Sequence, residues 1–200
     1  VLVHARARED AFVEAGDAVA RFDVMFNDFI LIGPEEDPAN VKEATSAVEA
    51  FQRIASAEAS FISRGDDSGT HTKEKSIWAA AELEPAGDWY ISAGQGMGAV
   101  IGMSDEVQGY TLTDRATYLA RKEQGLSLVI LYEGDAILLN PYGVMAVNPE
   151  KHPNVNAELA QTFIDWLISV ETQERILGFE IGGGPVFFPD SEPYRAAQGS

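Results

Sequence analysis

The loop between Ser63 and Thr70 holds the side chains in this sequence that are best suited to binding chemistry. It follows the strand-like pair Phe61-Ile62 and precedes a predicted helix over Thr72–Glu82, so it lies at a helix N-terminus. Unpaired N–H groups and the positive end of the helix dipole favour an anion at such a place. Arg64 adds a permanent charge with a planar fork of donors. Three hydroxyls complete the set, those of Ser63, Ser68 and Thr70. We name residues 63–70 the cradle loop and predict that it binds an anion.

A simpler interpretation of the cradle loop stays open at this point. Ser68 or Thr70 can cap the helix, and Arg64 can pair with Asp66 or Asp67 with nothing bound. The tripeptide Arg-Gly-Asp within the loop also matches an adhesion motif that occurs often by chance. The spacing of the loop's two glycines does not fit a phosphate-binding P-loop, which excludes an ATP site of that kind.

A second glycine-rich junction follows a short predicted strand over Trp89–Ser92 and precedes a predicted helix over Ala99–Val107. Its sequence, Ala93-Gly-Gln-Gly-Met-Gly98, lacks the spacing and the acidic residue of a dinucleotide-binding fingerprint. Its glycines either let backbone amides, such as those of Gly96 and Met97, approach a ligand, or let helix and strand pack closely. Both interpretations remain open.

The composition limits the possible partners. The chain has 200 residues, a formal charge of −18 and 46% hydrophobic residues. The strong acidity repels nucleic acid and anionic lipid, so an anion site must depend on local donors. The apolar content is enough for a sizeable core, whereas no apolar run is long enough to span a membrane and the first residues do not resemble a signal peptide. Because the sequence contains no Cys, disulfides and thiolate metal sites are excluded.

Strands and helices alternate along the whole chain, a pattern typical of α/β proteins with parallel sheets. Two long extended segments end at Pro34 and Pro149, and this spacing predicts a chain that leaves one lobe, builds a second and returns. Thr113 is predicted to cap a helix that ends near Ala120. A long amphipathic helix over Ala157–Leu177 is predicted to bury Leu159, Phe163, Trp166, Leu167, Val170 and Ile176.

Two other kinds of site match the sequence less well. Asp66 with His71 can be drawn as an acid/base pair. The spacing from Thr70 to Lys73 resembles a nucleophile motif, but no partner motif accompanies either arrangement. The histidines are too scattered for typical metal-ligand spacing, since they are His4, His71 and His152. We therefore predict a protein that is not an enzyme and has no metal site.

Four motifs, in one order, resemble a single family. They are Ser63-Arg-Gly-Asp-Asp-Ser-Gly-Thr-His71, Ala93-Gly-Gln-Gly-Met-Gly98, Tyr110-Thr-Leu-Thr-Asp-Arg-Ala-Thr-Tyr118 and Asn140-Pro-Tyr-Gly-Val-Met-Ala-Val-Asn-Pro149. From Val1 to about Pro189 the chain is similar to the tungstate-binding proteins of bacterial ABC uptake transporters, which are class II periplasmic substrate-binding proteins. The resemblance implies an α/β, two-lobed periplasmic-binding-protein type II fold with a hinge of two crossing strands. Lobe I would comprise residues 1–35 and 143–200, and lobe II residues 36–142.

The same resemblance implies a ligand site in the cleft between the lobes. Its residues would be Arg64 and Thr70 on the oxyanion, Ser63, Ser68 and Gly69 beside it, and backbone donors at Gly96 and Met97. Thr113 and Arg115 would be a cap and a surface or hinge pair rather than ligands. The ligand would be tungstate or molybdate, captured without a cofactor by a monomeric periplasmic or extracytoplasmic protein and delivered to an ABC permease.

Another oxyanion, such as phosphate or sulfate, is the alternative ligand for the same fold. Phosphate retains a proton at neutral pH and needs a carboxylate acceptor, which Asp66 or Asp67 could provide. A fully deprotonated dianion has no such need and is repelled by these carboxylates. The choice between tungstate and molybdate stays open because the two anions are nearly equal in size.

The family also has a Thr/Ser-rich loop ahead of the segment that matches Val1, and the sequence as given does not contain it. A hydrogen bond to a charged group contributes about 1.5–3 kcal/mol, whereas nanomolar affinity needs about 12 kcal/mol. Because that loop is not part of the sequence as given, we expect lobe I to be incomplete at its N-terminus. We also expect this chain to bind the oxyanion weakly or not at all, and the complete protein to bind it tightly.

Overall fold

The computed structural model describes residues 1–199 as an α/β protein whose contacts divide into two units. Unit 1 consists of Val1–Asn27 with the residues from Asn140 onward, and unit 2 is Asp28–Leu139. The lobes predicted from the sequence, 1–35 with 143–200 and 36–142, remain a prediction. Their limits differ by a few residues from those of the two units.

The elements alternate as the sequence pattern indicates. Those before unit 2 are β1 (Leu2–Val3), α1 (Arg6–Glu14) and β2 (Ala18–Gly33), which continues into unit 2. Unit 2 adds α2 (Ala47–Ser56), β3 (Phe61–Ser63), α3 (Gly69–Ala80), β4 (Tyr90–Ser92), α4 (Met97–Val107), β5 (Thr111–Asp114), α5 (Arg115–Lys122) and β6 (Val129–Tyr132), with short 3₁₀ turns at Val41–Glu43 and Ala136–Leu138. The chain then forms β7 (Leu139–Val147), α6 (Ala157–Ile168), α7 (Val170–Leu177), β8 (Glu180–Ile181), β9 (Gly184–Pro185), β10 (Phe188–Pro189) and α8 (Glu192–Gln198).

Strand β2 is the longest strand, with 16 residues, and it has more partner strands than any other described strand. In unit 1 it pairs with β10, while β1 pairs with β7. In unit 2 it pairs with β5 and with β6. All four of these pairings are antiparallel, so the prediction of parallel sheets is wrong for them. Alternation in sequence does not determine which strand becomes the common partner, and β5, β6 and β10 run antiparallel to β2.

The parallel prediction is correct for β3 and β4, which pair in register from Phe61 with Tyr90 to Ser63 with Ser92. Behind this pair, an aromatic cluster fixes α3. The ring centroid of Trp78 lies 4.5 Å from that of Phe51 and 5.4 Å from that of Phe61. Edge contacts of this kind add to the free energy gained by burying the rings. The helix that begins at the cradle loop is therefore held by the core of unit 2.

A second cluster in unit 2 fixes α4. Val100 and Ile101 are fully buried and pack with Ile30 and Ile32 of β2 and Ile62 of β3. Each such side chain contributes about 1.5–3 kcal/mol when it is removed from water. Both helices that follow the β3–β4 pair are thus anchored to the same body.

The structure corrects the cap predicted at Thr113. This residue is buried in β5, and the side chain of Asp114 caps α5 by accepting from the N–H of Thr117 at 2.8 Å. Arg115, the next residue, donates from Nε to Asp28 Oδ1 at 2.8 Å and also pairs with Glu133. The predicted cap lies one residue too early because Thr and Asp are both good capping residues. The prediction that Arg115 forms a pair is confirmed.

The long helix predicted over Ala157–Leu177 is also wrong, because it is two helices broken at Ser169. Ser169 is extended, with ψ of 149°, and its side chain caps α7. Leu167 is buried as predicted, but Leu159, Phe163 and Trp166 are 64%, 47% and 52% exposed. We name these three residues the apolar row. Periodicity identifies an apolar face but does not show what packs against it. No helix within residues 1–199 is long and apolar enough to cross a bilayer.

Candidate functional site

The two glycine-rich junctions lie side by side in unit 2. Because β3 and β4 are adjacent and parallel, their carboxyl ends meet at the same edge, and each strand leads into the N-terminus of a helix. Two backbone hydrogen bonds join the junctions directly. The N–H of Ala93 donates to the carbonyl of Ser63 at 2.9 Å, and that of Gln95 to the carbonyl of Arg64 at 3.2 Å. Two helix N-termini therefore point at one region, an arrangement suited to anions.

Helix α3 begins at Gly69, three residues before its predicted start at Thr72, because Ser68 caps it. The Ser68 hydroxyl accepts from the N–H of His71 at 3.3 Å. Within residues 1–199 the N–H groups of Gly69 and Thr70 have no hydrogen-bond partner, and neither does the Thr70 hydroxyl. A Cβ added at Gly69 would meet nothing within 4 Å. The first turn of α3 thus offers donors in open space.

Helix α4 begins at Met97 after Gly96, which occupies the cap position without a side chain to satisfy the first turn. The Val100 N–H donates to the Gly96 carbonyl at 3.1 Å, but the N–H groups of Met97 and Gly98 have no partner in the described part of the chain. The Met97 side chain is 7% exposed and packs in the core with Val100. Both interpretations of this junction therefore apply, since the side chain packs while the backbone donors stay available.

Arg64 pairs with Asp66 inside the cradle loop. Its Nε donates to Asp66 Oδ2 at 3.1 Å, and Nη2 contacts the same oxygen. The other carboxylate oxygen accepts from the N–H of Ser68 at 3.2 Å. Hydrogen bonds from Ser68, together with the charge of Arg64, lower the pKa of Asp66 to about 2. Asp66 is therefore a resident anion on the arginine, as the simpler interpretation of the loop allowed.

Glu74, on the inner face of α3, is a residue that the sequence reasoning missed. It is 2% exposed and accepts from the Ser63 hydroxyl at 2.7 Å, from the Tyr90 hydroxyl at 2.7 Å and from Trp78 Nε1 at 3.2 Å. Burial raises the pKa of its carboxyl group, although all three hydrogen bonds oppose that rise. The sequence carries only a partial signal, because Glu74 shares a helical face with Thr70 and Trp78. Its partners Ser63 and Tyr90 are brought close only by the fold.

A family model described as a PBP superfamily domain matches residues 1–171. The tungstate-binding protein TupA of Peptoclostridium acidaminophilum is 48% identical over 195 residues, which are 96% of this chain and 68% of that protein. The chain belongs to this family of tungstate-binding proteins. The predicted fold class and family are confirmed.

Two solved structures of the tungstate-binding family have the same fold. TupA from Desulfovibrio alaskensis G20 superposes with a TM-score of 0.88 at 44% identity, over 96% of this chain and 78% of that one. A structure described as the tungstate ABC transporter from Geobacter sulfurreducens has a TM-score of 0.71 at 51% identity, over 90% of this chain and 76% of that one. The chain therefore spans about two thirds to three quarters of these relatives. Membership in a family of transport binding proteins also confirms the prediction that it is not an enzyme.

His71 and Lys73 have partners other than the ones that a catalytic arrangement would need. His71 Nδ1 accepts from the N–H of Asp67 at 3.0 Å, and the ring lies near the carboxylate of Asp67 rather than that of Asp66. Lys73 Nζ donates to the carbonyls of Ile137 and Leu139 at 2.7 and 3.3 Å. Neither of the two alternative catalytic pairings, Asp66 with His71 or Thr70 with Lys73, is present as a hydrogen bond between residues 1 and 199.

The histidines do not form a metal site in the described part of the chain. His4 lies against the ring of Tyr142 with centroids 4.8 Å apart, and His152 Nε2 lies 3.3 Å from Asp17 Oδ1. No group of three His, Cys, Asp or Glu residues in positions 1–199 could hold a metal ion. Each histidine therefore has a local neighbour in its own unit.

The predicted ligand residues separate into two groups. The loop residues Arg64, Ser68, Gly69 and Thr70 lie next to the second junction with Gly96 and Met97, because the β3–β4 pair brings the junctions together. Ser63 differs from them, since it is fully buried and its hydroxyl donates to Glu74. The assignment of all seven residues to a ligand site remains a prediction.

Proposed function

We propose that this chain is an extracytoplasmic substrate-binding protein that captures tungstate or molybdate and delivers it to the permease of an ABC transporter. The observation that carries the proposal is the pair of adjacent helix N-termini at Gly69 and Met97, where four N–H groups have no partner within the described residues. The anion would be bound as a tetrahedral dianion, with a monomeric protein as the receptor. The names of the related proteins support the choice of ligand class.

Local donors compensate for the unfavourable charge of the whole protein. A charge of −18 slows the approach of an anion, but hydrogen bonds to a charged group contribute about 1.5–3 kcal/mol each. The four amides, the Thr70 hydroxyl and Arg64 give a small set of such bonds. Ordering and desolvation reduce the summed free energy of these bonds. These groups alone therefore give a binding free energy below the approximately 12 kcal/mol that nanomolar affinity requires.

The protonation of the ligand gives a basis for selectivity. Hydrogen phosphate needs an acceptor for its proton, whereas tungstate, molybdate and sulfate do not. Both oxygens of Asp66 already accept hydrogen bonds, from Arg64 and from Ser68. Asp67 is the remaining acceptor in the loop, but it pairs with Lys75 at 2.6 Å. We therefore place a fully deprotonated oxyanion ahead of phosphate.

Calorimetric titration tests the proposal. Tungstate is titrated into the chain as given and into a version extended at its N-terminus, with molybdate, sulfate and phosphate as competitors. In the extended protein we expect tight one-to-one tungstate binding that sulfate and phosphate displace poorly, and in the chain as given we expect weak binding or none. The absence of a response to any oxyanion in both proteins would overturn the proposal.

A matched pair of substitutions tests the site itself. Arg64→Lys keeps the charge but removes the planar fork, and we expect affinity to fall by about ten- to a hundredfold without loss of the fold. The control is Arg53→Lys, the same change at an arginine of α2 that pairs with Glu49 at 2.8 Å. Equal affinities for the two variants would remove Arg64 from the site.

A further inference from the structure

Among the described residues, Glu74 is buried without an ion pair, in contrast to two other buried acidic residues, Glu9 and Asp28. Glu9 pairs with Arg21 at 2.6 Å, and Asp28 pairs with Arg115. Glu74 has no ion pair within residues 1–199, and the hydrogen bonds recorded for its carboxylate all come from neutral donors. Burying a carboxylate without a cation is costly in free energy. The hydrogen bonds that hold Glu74 next to the cradle loop must offset this cost.

A chain of two hydrogen bonds connects Glu74 with the cradle loop. The Ser63 hydroxyl donates its only proton to Glu74 Oε2 at 2.7 Å, so the Ser63 oxygen is left to accept. It accepts from the N–H of Gly65 at 3.2 Å. Donation to a carboxylate makes a hydroxyl oxygen a better acceptor, because hydrogen bonds in a chain polarise one another. Glu74 therefore sets the donor-to-acceptor direction of both hydrogen bonds, from Gly65 to Ser63 and from Ser63 to Glu74.

The two hydrogen bonds lead from Glu74 to the turn at Gly65, which shapes the cradle loop. Gly65 has φ of +60°, and a Cβ placed on it would lie 2.0 Å from Ser92 Oγ and 3.4 Å from the backbone N of Gly94. The turn therefore lies tightly against the second junction. A shift of Gly65 would change the spacing between the two junctions that carry the free amides.

We propose that Glu74 is the positioning residue of the anion cradle, which acts through the Ser63 hydroxyl to fix the Gly65 turn. This proposal rests on the proposed function, because the proposed function identifies the oxyanion as the ligand of the cradle loop. It also gives Ser63 a different role from the one the family resemblance implies. Ser63 links Glu74 to the loop and does not donate to the ligand, because its proton is already used.

The substitution Glu74→Gln tests whether Ser63 must donate to residue 74 for the Gly65 turn to be held. Trp78 Nε1 can only donate, so the amide oxygen must take the position of Oε1, and the amide nitrogen then faces Ser63. Ser63 must accept from both Gln and Gly65, which weakens its bond to the Gly65 N–H. Loss of one hydrogen bond corresponds to about a two- to tenfold change.

Two measurements follow the effect. Amide hydrogen exchange by NMR reports on the Gly65 N–H, and calorimetry reports on tungstate affinity. We expect Glu74→Gln and Ser63→Ala each to speed exchange at Gly65 and to lower affinity by about two- to tenfold, with the double variant no worse than the more affected single one. Additive effects, or unchanged exchange at Gly65 in Glu74→Gln, would overturn the proposal.

Asp37→Asn is the matched control. Asp37 is a buried carboxylate that also accepts only from neutral donors, including the Val41 N–H at 2.9 Å and the Tyr110 hydroxyl at 3.0 Å. It lies 26 residues before the cradle loop in sequence, and none of its hydrogen bonds among the described residues involves a residue of that loop. We expect the control to lower stability while Gly65 exchange and tungstate affinity stay at their original values. A Gly65 effect as large as that of Glu74→Gln would show a general loss of packing and would overturn the proposal.

The two readouts separate the positioning role from the proposed function. If neither the unsubstituted protein nor its N-terminally extended version binds an oxyanion, the proposed function fails, and Gly65 exchange still decides whether Glu74 positions the turn. If Glu74→Gln does not fold, Glu74→Asp replaces it, because it keeps the carboxylate but withdraws it from Ser63. Unchanged Gly65 exchange in that variant would equally overturn the proposal.

Discussion

Gly65→Ala is the substitution that most directly tests how the cradle loop is built. Gly65 adopts a left-handed conformation, with φ of +60°, at the place where the loop touches the second junction. An alanine there must adopt a conformation that L-residues disfavour. It must also place a methyl group where Ser92 now lies. We expect a loss of both stability and ligand affinity.

The size of the effect follows from the two costs. A left-handed conformation costs a non-glycine residue about 1–2 kcal/mol. The contact with Ser92 Oγ at 2.0 Å is relieved by rotating that hydroxyl, but Ser92 Cβ at 3.2 Å must move by a few tenths of an ångström. We therefore expect the free energy of unfolding to fall by about 1–3 kcal/mol. Loss of one charge-assisted bond to the anion would lower affinity by about tenfold or more.

Denaturant unfolding and tungstate calorimetry measure the two effects. Gly69→Ala is the control for stability, because nothing lies within 4 Å of its added Cβ and its φ is not positive. Alanine in a helix is favoured over glycine by about 0.5–1 kcal/mol, so this control should be slightly stabilised. Adding Ser92→Ala to Gly65→Ala should recover the part of the loss due to the hydroxyl contact.

One result would refute the reasoning. If Gly65→Ala unfolds at the same denaturant concentration as the original protein and binds tungstate equally well, the turn is not strained and does not set the junction spacing. A loss of stability that Gly69→Ala reproduces would equally exclude the left-handed turn as the cause.

Two further predictions concern pH and the surface. Burial raises the pKa of Glu74, so its contribution to stability is present below its ordinary pKa and is lost as the pH rises through the raised value. As the pH rises above the ordinary pKa of a glutamate, the melting temperature of Glu74→Gln should therefore increase relative to that of the original protein, and a constant difference would contradict this. The apolar row should bind a fluorescent hydrophobic dye, and changing Leu159, Phe163 and Trp166 to Gln should reduce the fluorescence with little change in stability, because all three are exposed. Unchanged fluorescence would show that the dye binds elsewhere.

The cradle loop could be predicted from the sequence because its signals are local. Ser68 caps α3 and leaves the following amides free, as the pattern of a strand, a polar turn and a helix indicates. The neighbouring junction could be recognised for the same reason. The hydrogen bonds from Ala93 and Gln95 that join the two junctions depend on the parallel pairing of β3 with β4.

Features that depend on distant partners were not predictable. Glu74 is an ordinary acidic residue of a helix until Tyr90 and Ser63 come close in the fold. The break at Ser169 and the exposure of Trp166 depend on what packs against the helix, which periodicity does not contain. The Thr113 cap was misplaced by one residue because two capping residues are adjacent in the sequence.

The free donors at the two junctions belong to the main chain, and this has an evolutionary consequence. A side-chain ligand disappears with one substitution, whereas a main-chain N–H is lost only when proline replaces the residue. The side chains at Gly69, Thr70, Met97 and Gly98 can therefore diverge without removing these donors. Preference among tetrahedral anions would then change through the curvature of the loops. In distant relatives, the inherited signature of such a receptor would be two adjacent turns that lead into helices, rather than a fixed set of ligand side chains.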